Sequence, residues 1–272
     1  MNNDMEIINK FLKSKNENME SIKELSGGTN NRIYSVNDKY FVKFKDSSSI
    51  MEEKYFFSIY QSNLYSKILY CNIEKGYIIY NLLDAKDAED ANEIENIIDI
   101  VYNESVNRKV TLEKGYGYVS GLRPTWTDFL KSELDDSIEY LKSESMISKF
   151  DLNIINSSLK TIEKYPFEKR VIHGDFGLHN IMISNTNKSI IIIDPSTVIG
   201  DYLYDFIFFC FSDVTLLKLI SFKKIFDLVN EDYEKVKTMM IIVLFIRTQR
   251  ALKYSKSDFP YYYKKYEELI NL

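Results

Sequence analysis

Residues 171–195, VIHGDFGLHNIMISNTNKSIIIIDP, contain both histidines of the chain and three potential metal-binding oxygen side chains. These oxygen side chains are Asp175, Asn180 and Asp194, and they lie between apolar runs. Carboxylate and amide oxygens without thiolates suit Mg²⁺, which keeps part of its water shell and is usually completed by substrate phosphates. This combination indicates phosphoryl transfer.

The sequence from Asn180 to Asp194 is typical of a β-hairpin. Ile181–Ser184 and residues 189–193 are rich in β-formers, and NTNK between them is typical of a turn. Antiparallel pairing would bring Asn180 and Asp194 together at the open end, where opposite Cβ atoms are about 5 Å apart. Asp175 follows the apolar run RVI and would face the same point, so the pattern predicts a Mg²⁺ site.

Phosphoryl transfer needs few other protein groups. The protein orients the acceptor hydroxyl, neutralises phosphate charge with a metal ion and a lysine, and excludes water. Asp175 is the predicted acceptor-orienting base. The turn SGGTNN, with Gly27 and Gly28, could hold phosphates, and Lys43 lies in the second strand after it.

These residues need a sheet and a set of helices to position them. A chain of 272 residues is long enough for two lobes. Short alternating runs predict three antiparallel strands in residues 22–46, then a helix, then two more strands up to residue 84. Helical patterns dominate the rest. The sequence therefore predicts an α+β fold, with an N-terminal nucleotide-binding lobe at 1–83 and a mostly helical lobe with the catalytic loop and acceptor site at 84–272.

Residues 84–100 are strongly acidic, with seven acids against one lysine. Apolar residues recur there at helical spacing: Ile94, Ile97, Ile98 and Val101. This pattern is typical of a solvated helix face. A second interpretation is that the acids attract a cationic acceptor.

Composition narrows the classes of partner and location. A net charge of −5 argues against a nucleic-acid partner, because phosphate backbones bind clustered lysines and arginines. The N-terminus is polar, and the longest apolar run, residues 239–246, is too short to span a bilayer. These features predict a cytoplasmic protein without a membrane span. Cys71 and Cys210 are interpreted as buried free thiols. Nothing in the sequence indicates an obligate protein partner.

HGDFGLHN followed by IIIIDP resembles the catalytic and metal-binding motifs of the aminoglycoside phosphotransferase and choline kinase superfamily, which has a protein-kinase-like fold. GYGYVSG, PTWTDFL and GDYLYDFIFFCF have counterparts in the hygromycin B phosphotransferase branch, in the same order. The resemblance extends over essentially the whole chain. It implies a two-lobe kinase that uses Mg²⁺ and ATP or GTP to phosphorylate a hydroxyl of an aminoglycoside-like or other small alcohol.

The resemblance also implies a role for individual residues. Asp175 would be the catalytic base, with Asn180 and Asp194 as the Mg²⁺ ligands. Lys43 would contact phosphates and pair with Glu53, with Glu52 as the alternative partner of that lysine.

The same resemblance places the nucleotide-base hinge at YNLLD. The Asn81 carbonyl and the Leu83 amide would bond the purine, and Tyr80 would lie at the back of the pocket. A bulky tyrosine there could narrow the adenine pocket and favour GTP. The sequence departs from relatives at Pro195 and Ser196, where an aromatic residue is common, and SGGTNN has fewer glycines than a protein-kinase loop.

Other functions are weaker interpretations of the same residues. A metallohydrolase could use His173, Asp175, His179 and Asp194 as ligands of a Zn²⁺ ion that activates water, but it leaves Lys43 without a role. A non-catalytic nucleotide-binding module would require one of the key residues to be replaced, and none is. A serine hydrolase needs a histidine beside its serine, and both histidines lie in one short loop. The sequence does not identify the acceptor, and it does not distinguish a role in drug resistance from a role in metabolism.

Overall fold

The computed structural model describes residues 2–25, 32–88 and 91–272. The chain divides into two compact units, Met1–Lys86 with Met182–Asp194, and Asp87–Ile181 with Pro195–Leu272. The strands are β1 (Ile22–Leu25), β2 (Arg32–Val36), β3 (Tyr40–Phe44), β4 (Ile68–Asn72), β5 (Tyr77–Asn81), β6 (Ala85–Asp87), β7 (Gly117–Tyr118), β8 (Arg170–Ile172), β9 (Ile181–Ser184), β10 (Ile190–Ile192) and β11 (Val198–Gly200). The helices are α1 (Asn2–Ser14), α2 (Ser47–Ile59), α3 (Ala91–Val106), α4 (Trp126–Ser143), α5 (Lys149–Ile162), α6 (Tyr202–Cys210), α7 (Val214–Leu219), α8 (Phe222–Leu228), α9 (Tyr233–Tyr254) and α10 (Phe259–Ile270).

The first unit is built on an antiparallel sheet of five strands in the order β1-β2-β3-β5-β4, which confirms the predicted strands. Lys43 lies in the central strand β3, opposite Ile33 of β2 and Ile78 of β5. Successive side chains of a strand point to opposite faces. Val42 and Phe44 therefore join the core that packs against α1, and Lys43 points to the other face.

Helix α2 follows β3 directly and begins at a well-formed cap. The Asp46 carboxylate accepts a hydrogen bond from the Ser49 backbone N–H at 2.9 Å. Hydrogen bonds from the Ser48 and Ser49 hydroxyls and from the Ser49 amide lower the pKa of Asp46 to about 2. The cap fixes where the helix starts, and so sets which of its side chains, Glu53 among them, are buried against the unit.

Strands β6, β9 and β10 form a small sheet with β9 in the centre. The turn after β9 is closed by the Lys188 N–H to the Ser184 carbonyl at 3.1 Å, as the NTNK pattern predicts. Residues 182–194 belong to the first unit, although the sequence boundary at 83/84 assigns them to the C-terminal lobe. The physical reason is hydrogen bonding: Ile192 accepts from the Ser66 amide at 3.2 Å, and Asn185 donates to the Asp84 carbonyl at 3.0 Å.

The second unit is mostly helical. Helix α9 packs against α4, α5, α6 and α10, and α6 is buried along nearly its whole length. Helices α4 and α5 start with capping boxes, formed by Thr125 with Asp128 and by Ser148 with Asp151. A short antiparallel sheet has the strand order β7-β11-β8. The loop that contains Asp175 follows β8 in the chain and precedes β11.

The acidic segment forms β6 and then α3, and residues 89–90 within it lie outside the described part. The predicted apolar stripe is confirmed, because Ile94, Ile97, Ile98 and Val101 are all buried. Both cysteines are free; Cys210 is buried, but Cys71 is only half-buried. Across the described residues, no helix combines the length and apolar character that crossing a membrane requires.

Candidate active site

The first unit brings four charged side chains into one ion cluster: Lys43, Lys45, Glu53 and Asp194. The Lys43 ammonium lies 3.3 Å from Glu53 Oε1 and 3.2 Å from Asp194 Oδ1. Lys45 lies 3.0 Å from Glu53 Oε2 and also contacts Asp194 Oδ1. Lys43, Glu53 and Asp194 were chosen from the sequence, and Glu53, the first of the two glutamates considered as a partner, contacts Lys43.

Lys45 was missed by sequence reasoning. The signal was present in VKFK, because residues two apart in a strand point to the same face. Its backbone continues the ladder, since the Lys45 N–H donates to the Gly76 carbonyl at 3.0 Å. Gly76 has φ +66, and a Cβ there would lie 2.4 Å from the Lys45 carbonyl oxygen, so the close approach requires glycine.

Neighbouring charges of opposite sign favour the ionised forms of Asp194 and Lys45. Burial disfavours the charge of Asp194, but the Lys43 and Lys45 ammoniums outweigh it and hold the pKa of Asp194 below its usual range. Burial likewise disfavours the charge of Lys45, but Glu53 and Asp194 raise the pKa of Lys45 above the ordinary lysine value. Asp194 has φ +55, a left-handed conformation that aspartate tolerates better than most residues.

A partly open pocket adjoins the ion cluster. Its lining includes all the predicted hinge residues of the described part, namely Tyr80, Asn81 and Leu83, together with Phe41, Lys43, Glu53, Ser66, Leu82, Met182, Ile193 and Asp194. Apolar walls with a few polar groups are typical of a site for a small ligand. Gly27 and Gly28, the predicted phosphate-binding glycines, lie outside the described residues.

Tyr80 links the pocket to the ion cluster. Its hydroxyl donates to Glu53 Oε1, and its ring lies 5.5 Å from the Lys43 ammonium. Burial, followed by the charge of Glu53, raises the pKa of Tyr80 well above the ordinary value. The tyrosine is therefore held in the wall of the pocket by a hydrogen bond to a buried carboxylate.

The second unit contains the Asp175 loop, residues 173–180. The Asn180 amide nitrogen donates to the Asp175 carbonyl oxygen at 2.8 Å and lies 3.3 Å from Asp175 Oδ2. Gly174 has φ +81, and a Cβ there would lie 2.0 Å from the Ser196 carbonyl oxygen. The HGD sequence therefore needs its glycine so that the loop can pass against residue 196.

Asp205 of α6 braces this loop from below. It accepts hydrogen bonds from the backbone N–H groups of His173 and Gly174, at 2.5 and 2.8 Å. The buried guanidinium of Arg108 lies 3.9 Å from the same carboxylate. His173 is fully buried and stacks on Phe176.

The sequence did not predict Arg250 as a neighbour of Asp175, or Glu133 as the second partner of Arg250. Arg250 of α9 lies 3.5 Å from Asp175 Oδ1 and 3.5 Å from Glu133 Oε2 of α4. The guanidinium also lies 5.2 Å from the Phe208 ring. No motif marks these residues, and the one available signal is an arginine in RTQR at the end of an apolar helix.

His179, at 3.5 Å from Asp175 Oδ2, completes the surroundings of this carboxylate. Burial disfavours the charge of Asp175, but the His179 ring and the Arg250 guanidinium outweigh it and hold the pKa of Asp175 below its usual range. Burial raises the pKa of Glu133, against the effect of Arg250. Asp175 is thus an ionised carboxylate with both oxygens in contact with groups of the same unit.

Asn180 and Asp194 fit Mg²⁺ by the chemistry of their donor atoms. The Asn180 amide nitrogen donates to the Asp175 carbonyl oxygen, so the amide oxygen is the atom that remains to bind a metal ion. Asp194 is ionised, and its side chain is 32% exposed. Within the described ranges, no group of three or more His, Cys, Asp or Glu side chains could hold a metal ion, so the hydrolase alternative gains no support.

No protein-family model matches this sequence, and no curated protein matches it. Solved structures do match. Choline kinase LicA from Streptococcus pneumoniae has a TM-score of 0.66 at 17% identity, covering 99% of this chain and 98% of that one. A thermostable mutant of aminoglycoside phosphotransferase APH(4)-Ia, in ternary complex with AMP-PNP and hygromycin B, has a TM-score of 0.69 at 17% identity, with 97% and 98% covered.

ADP-bound aminoglycoside phosphotransferase APH(2'')-Ib also matches, with a TM-score of 0.61 at 16% identity and coverage of 97% and 95%. Similarity at this level of identity shows a shared fold. This structural similarity confirms the predicted α+β, protein-kinase-like fold. The similarity extends over nearly the whole length of each chain.

Proposed function

We propose that this protein is a small-molecule kinase, which transfers the γ-phosphate of a nucleoside triphosphate to a hydroxyl group of a small acceptor. The observation that carries the proposal is the ion cluster beside an apolar pocket, with Lys43 paired to Glu53 and touching Asp194. This is the arrangement that holds phosphates in phosphoryl transfer. The fold shared with choline and aminoglycoside kinases supports it.

Nucleotide binding is assigned to the first unit, corresponding to the predicted lobe at 1–83. The purine would lie in the apolar pocket and bond the Asn81 carbonyl and the Leu83 amide. Lys43 would contact the phosphates, and Gly27 and Gly28 would approach them by their backbone. ATP is the proposed nucleotide, since solved neighbours contain AMP-PNP or ADP; the alternative of GTP rests on Tyr80 in the wall of the pocket.

The acceptor chemistry is assigned to the second unit, within the predicted lobe at 84–272. Asp175 would accept a hydrogen bond from the acceptor hydroxyl and take its proton as the phosphate is transferred. Asn180 and Asp194 would hold Mg²⁺, which supplies charge neutralisation on the phosphates. Asn180 and Arg250 hold the Asp175 carboxylate before the acceptor binds.

The proposed acceptor is a small hydroxylated cation, with aminoglycosides such as hygromycin B first among the candidates. The net charge of −5 favours a cation over an anion. The solved neighbours support the class, because they include a choline kinase and a complex with hygromycin B. The order of the sequence motifs supports the hygromycin branch.

The test is release of nucleoside diphosphate from Mg-ATP and Mg-GTP, with and without a panel of acceptors headed by hygromycin B and choline. We expect acceptor-dependent release that Asp175→Asn lowers by about a thousandfold or more, because the base and its charge are lost. Asp227→Asn, an exposed carboxylate paired with Lys223, is the matched control and should retain activity.

Two results would contradict the proposal. One is acceptor-dependent release that survives in Asp175→Asn; the other is absence of nucleotide binding together with a stoichiometric metal in the purified protein. The second result would revive the metallohydrolase. Tighter binding of ATP than of GTP by calorimetry would exclude the GTP preference and leave the kinase intact.

A further inference from the structure

Lys45 is the member of the ion cluster without a role in the proposed chemistry. Its side chain is 8% exposed, and it contacts the same two carboxylates as Lys43. The two lysines divide Glu53 between them, with Lys43 at Oε1 and Lys45 at Oε2. On Asp194, however, both ammonium groups contact the same atom, Oδ1.

This shared oxygen belongs to the proposed metal ligand Asp194. A divalent cation that binds Oδ1 must enter a place where two ammonium groups already stand, and like charges at such distances repel strongly in a buried site. Lys43 is held on its other side by Glu53 and by the ring of Tyr80. Lys45 lies one residue beyond the end of β3 and also borders a polar cavity lined by Asp4, Arg32 and Asp46, among others.

We propose that Lys45 is a built-in competitor of the metal ion, whose ammonium occupies Asp194 Oδ1 until a divalent cation arrives together with the nucleotide. The inference rests on the proposed function, which makes Asp194 a metal ligand. The free ion cluster is balanced, with two ammonium groups and two carboxylates. A cation alone would leave the cluster with excess positive charge. A cation that arrives with a nucleoside triphosphate is accompanied by the negative charge of the phosphates, which compensates for it.

The consequence is ordered loading of the site. The nucleotide-free protein should bind divalent cations poorly, and the metal should enter as the metal–nucleotide complex. Free Mg²⁺ would then not saturate Asp194 when nucleotide is scarce, and the apparent metal affinity would rise steeply once nucleotide is present.

The experiment measures Mn²⁺ binding to the nucleotide-free protein by electron paramagnetic resonance, in wild type, Lys45→Met and Lys45→Arg. Removal of the ammonium should tighten Mn²⁺ binding by about tenfold or more, since one repelling charge is lost beside Oδ1. Lys45→Arg keeps the charge and should stay close to wild type. Lys45→Gln repeats the test in case the methionine variant does not fold, with thermal unfolding as the check on each protein.

Lys43→Met is the matched control, because it removes the other ammonium group from the same two carboxylates. It should weaken binding of metal-free ADP, since Lys43 is the proposed phosphate contact, and Lys45→Met should not. If Lys45→Met binds Mn²⁺ no tighter than wild type, the inference is wrong. If it also loses metal-free ADP binding as Lys43→Met does, Lys45 is a second phosphate contact instead.

The double variant Lys45→Met/Asp194→Asn separates this inference from the proposed function. Loss of the Mn²⁺ gain in the double variant supports both, because the metal is then bound at Asp194. A gain that persists without Asp194 overturns the proposed metal site itself. Unchanged Mn²⁺ affinity in Lys45→Met, with Asp194→Asn abolishing Mn²⁺ binding in the presence of ADP, overturns the inference about Lys45 alone.

Discussion

The orientation of Asp175 depends on a residue from a distant part of the sequence. Arg250 contacts Asp175 Oδ1, is itself paired with Glu133, and lies against the ring of Phe208. A guanidinium held on three sides has a defined position, unlike a lone surface arginine. We therefore assign Arg250 as a positioning residue for the proposed base.

Arg250→Lys should lower kcat by about tenfold to a hundredfold, because small displacements of a catalytic group cost this much, and should leave the nucleotide KM unchanged. Added guanidinium ions should partly restore activity to Arg250→Ala. Steady-state kinetics with an acceptor that stimulates nucleoside diphosphate release in the panel test provides the measurement.

Arg247→Lys is the control, since Arg247 is on the same helix and lies 5.1 Å from the same Phe208 ring. Its guanidinium donates to the carbonyl oxygens of Phe211 and Ser212 and not to Asp175. This variant should lose thermal stability and keep kcat. Equal losses of kcat in the two variants would mean that Arg250 acts through packing of α9 and not through Asp175.

At the scale of elements, the segment from β3 to α2 supplies three of the four members of the ion cluster. Strand β3 and the residue after it place Lys43 and Lys45 on one face, and the Asp46 cap that follows starts the helix that buries Glu53. Because the connection between β3 and α2 is short, the position of the strand determines which side chains of the helix face it. Of the two adjacent glutamates, this connection brings Glu53 to Lys43.

Asp46→Asn should destabilise the protein by about 1 kcal/mol or less at pH 7, because asparagine is as good an N-cap as aspartate and the variant loses only the negative charge at the helix N-terminus. Because the pKa of Asp46 is lowered to about 2 in the folded protein, its charge contributes fully above its ordinary value of 3.8 and is lost as the pH falls toward 2. Urea unfolding of both proteins from pH 7 to pH 3 should show the difference shrinking below about pH 4.

Asp135→Asn provides the control, because Asp135 is exposed and paired with Lys131 one turn earlier. It should change stability by less than about 0.5 kcal/mol across the same range. A constant difference between wild type and Asp46→Asn at every pH would show that the asparagine caps α2 in a way unrelated to charge.

At the scale of the whole molecule, the two compact units differ in the chemistry they carry. The first has the apolar pocket and the ion cluster, and the second has the Asp175 loop braced by Asp205. Nucleotide and acceptor are accordingly assigned to different units. This division can be tested without knowing the acceptor.

Hydrogen exchange with ADP provides that test. Metal-free ADP should slow amide exchange in β3, β5 and residues 81–83, because ligand binding suppresses local opening of the elements it contacts. Helices α5 and α10 of the second unit should exchange at unchanged rates. Lys43→Met should reduce the protection, and protection confined to the second unit would contradict the assignment of the nucleotide.

Much of the site was accessible from sequence because its residues lie in short, ordered patterns. HGDFGLHN places Asp175 and Asn180 five residues apart in one loop, and the structure joins them by a hydrogen bond. YFVKF before a helix with two glutamates sufficed to select Lys43 and its possible partners. Local turn chemistry likewise predicted the five-stranded sheet and the hairpin.

What the sequence determined by itself is therefore local: strands and helices, the turn between β9 and β10, and the residue types proposed to hold phosphate and metal. The tertiary structure decided which groups meet across long separations. Arg250 reaches Asp175 from 75 residues away, and Lys45 reaches Asp194 from 149 away. Such contacts depend on the packing of whole elements, whose side-chain directions a single sequence does not encode in any short spacing.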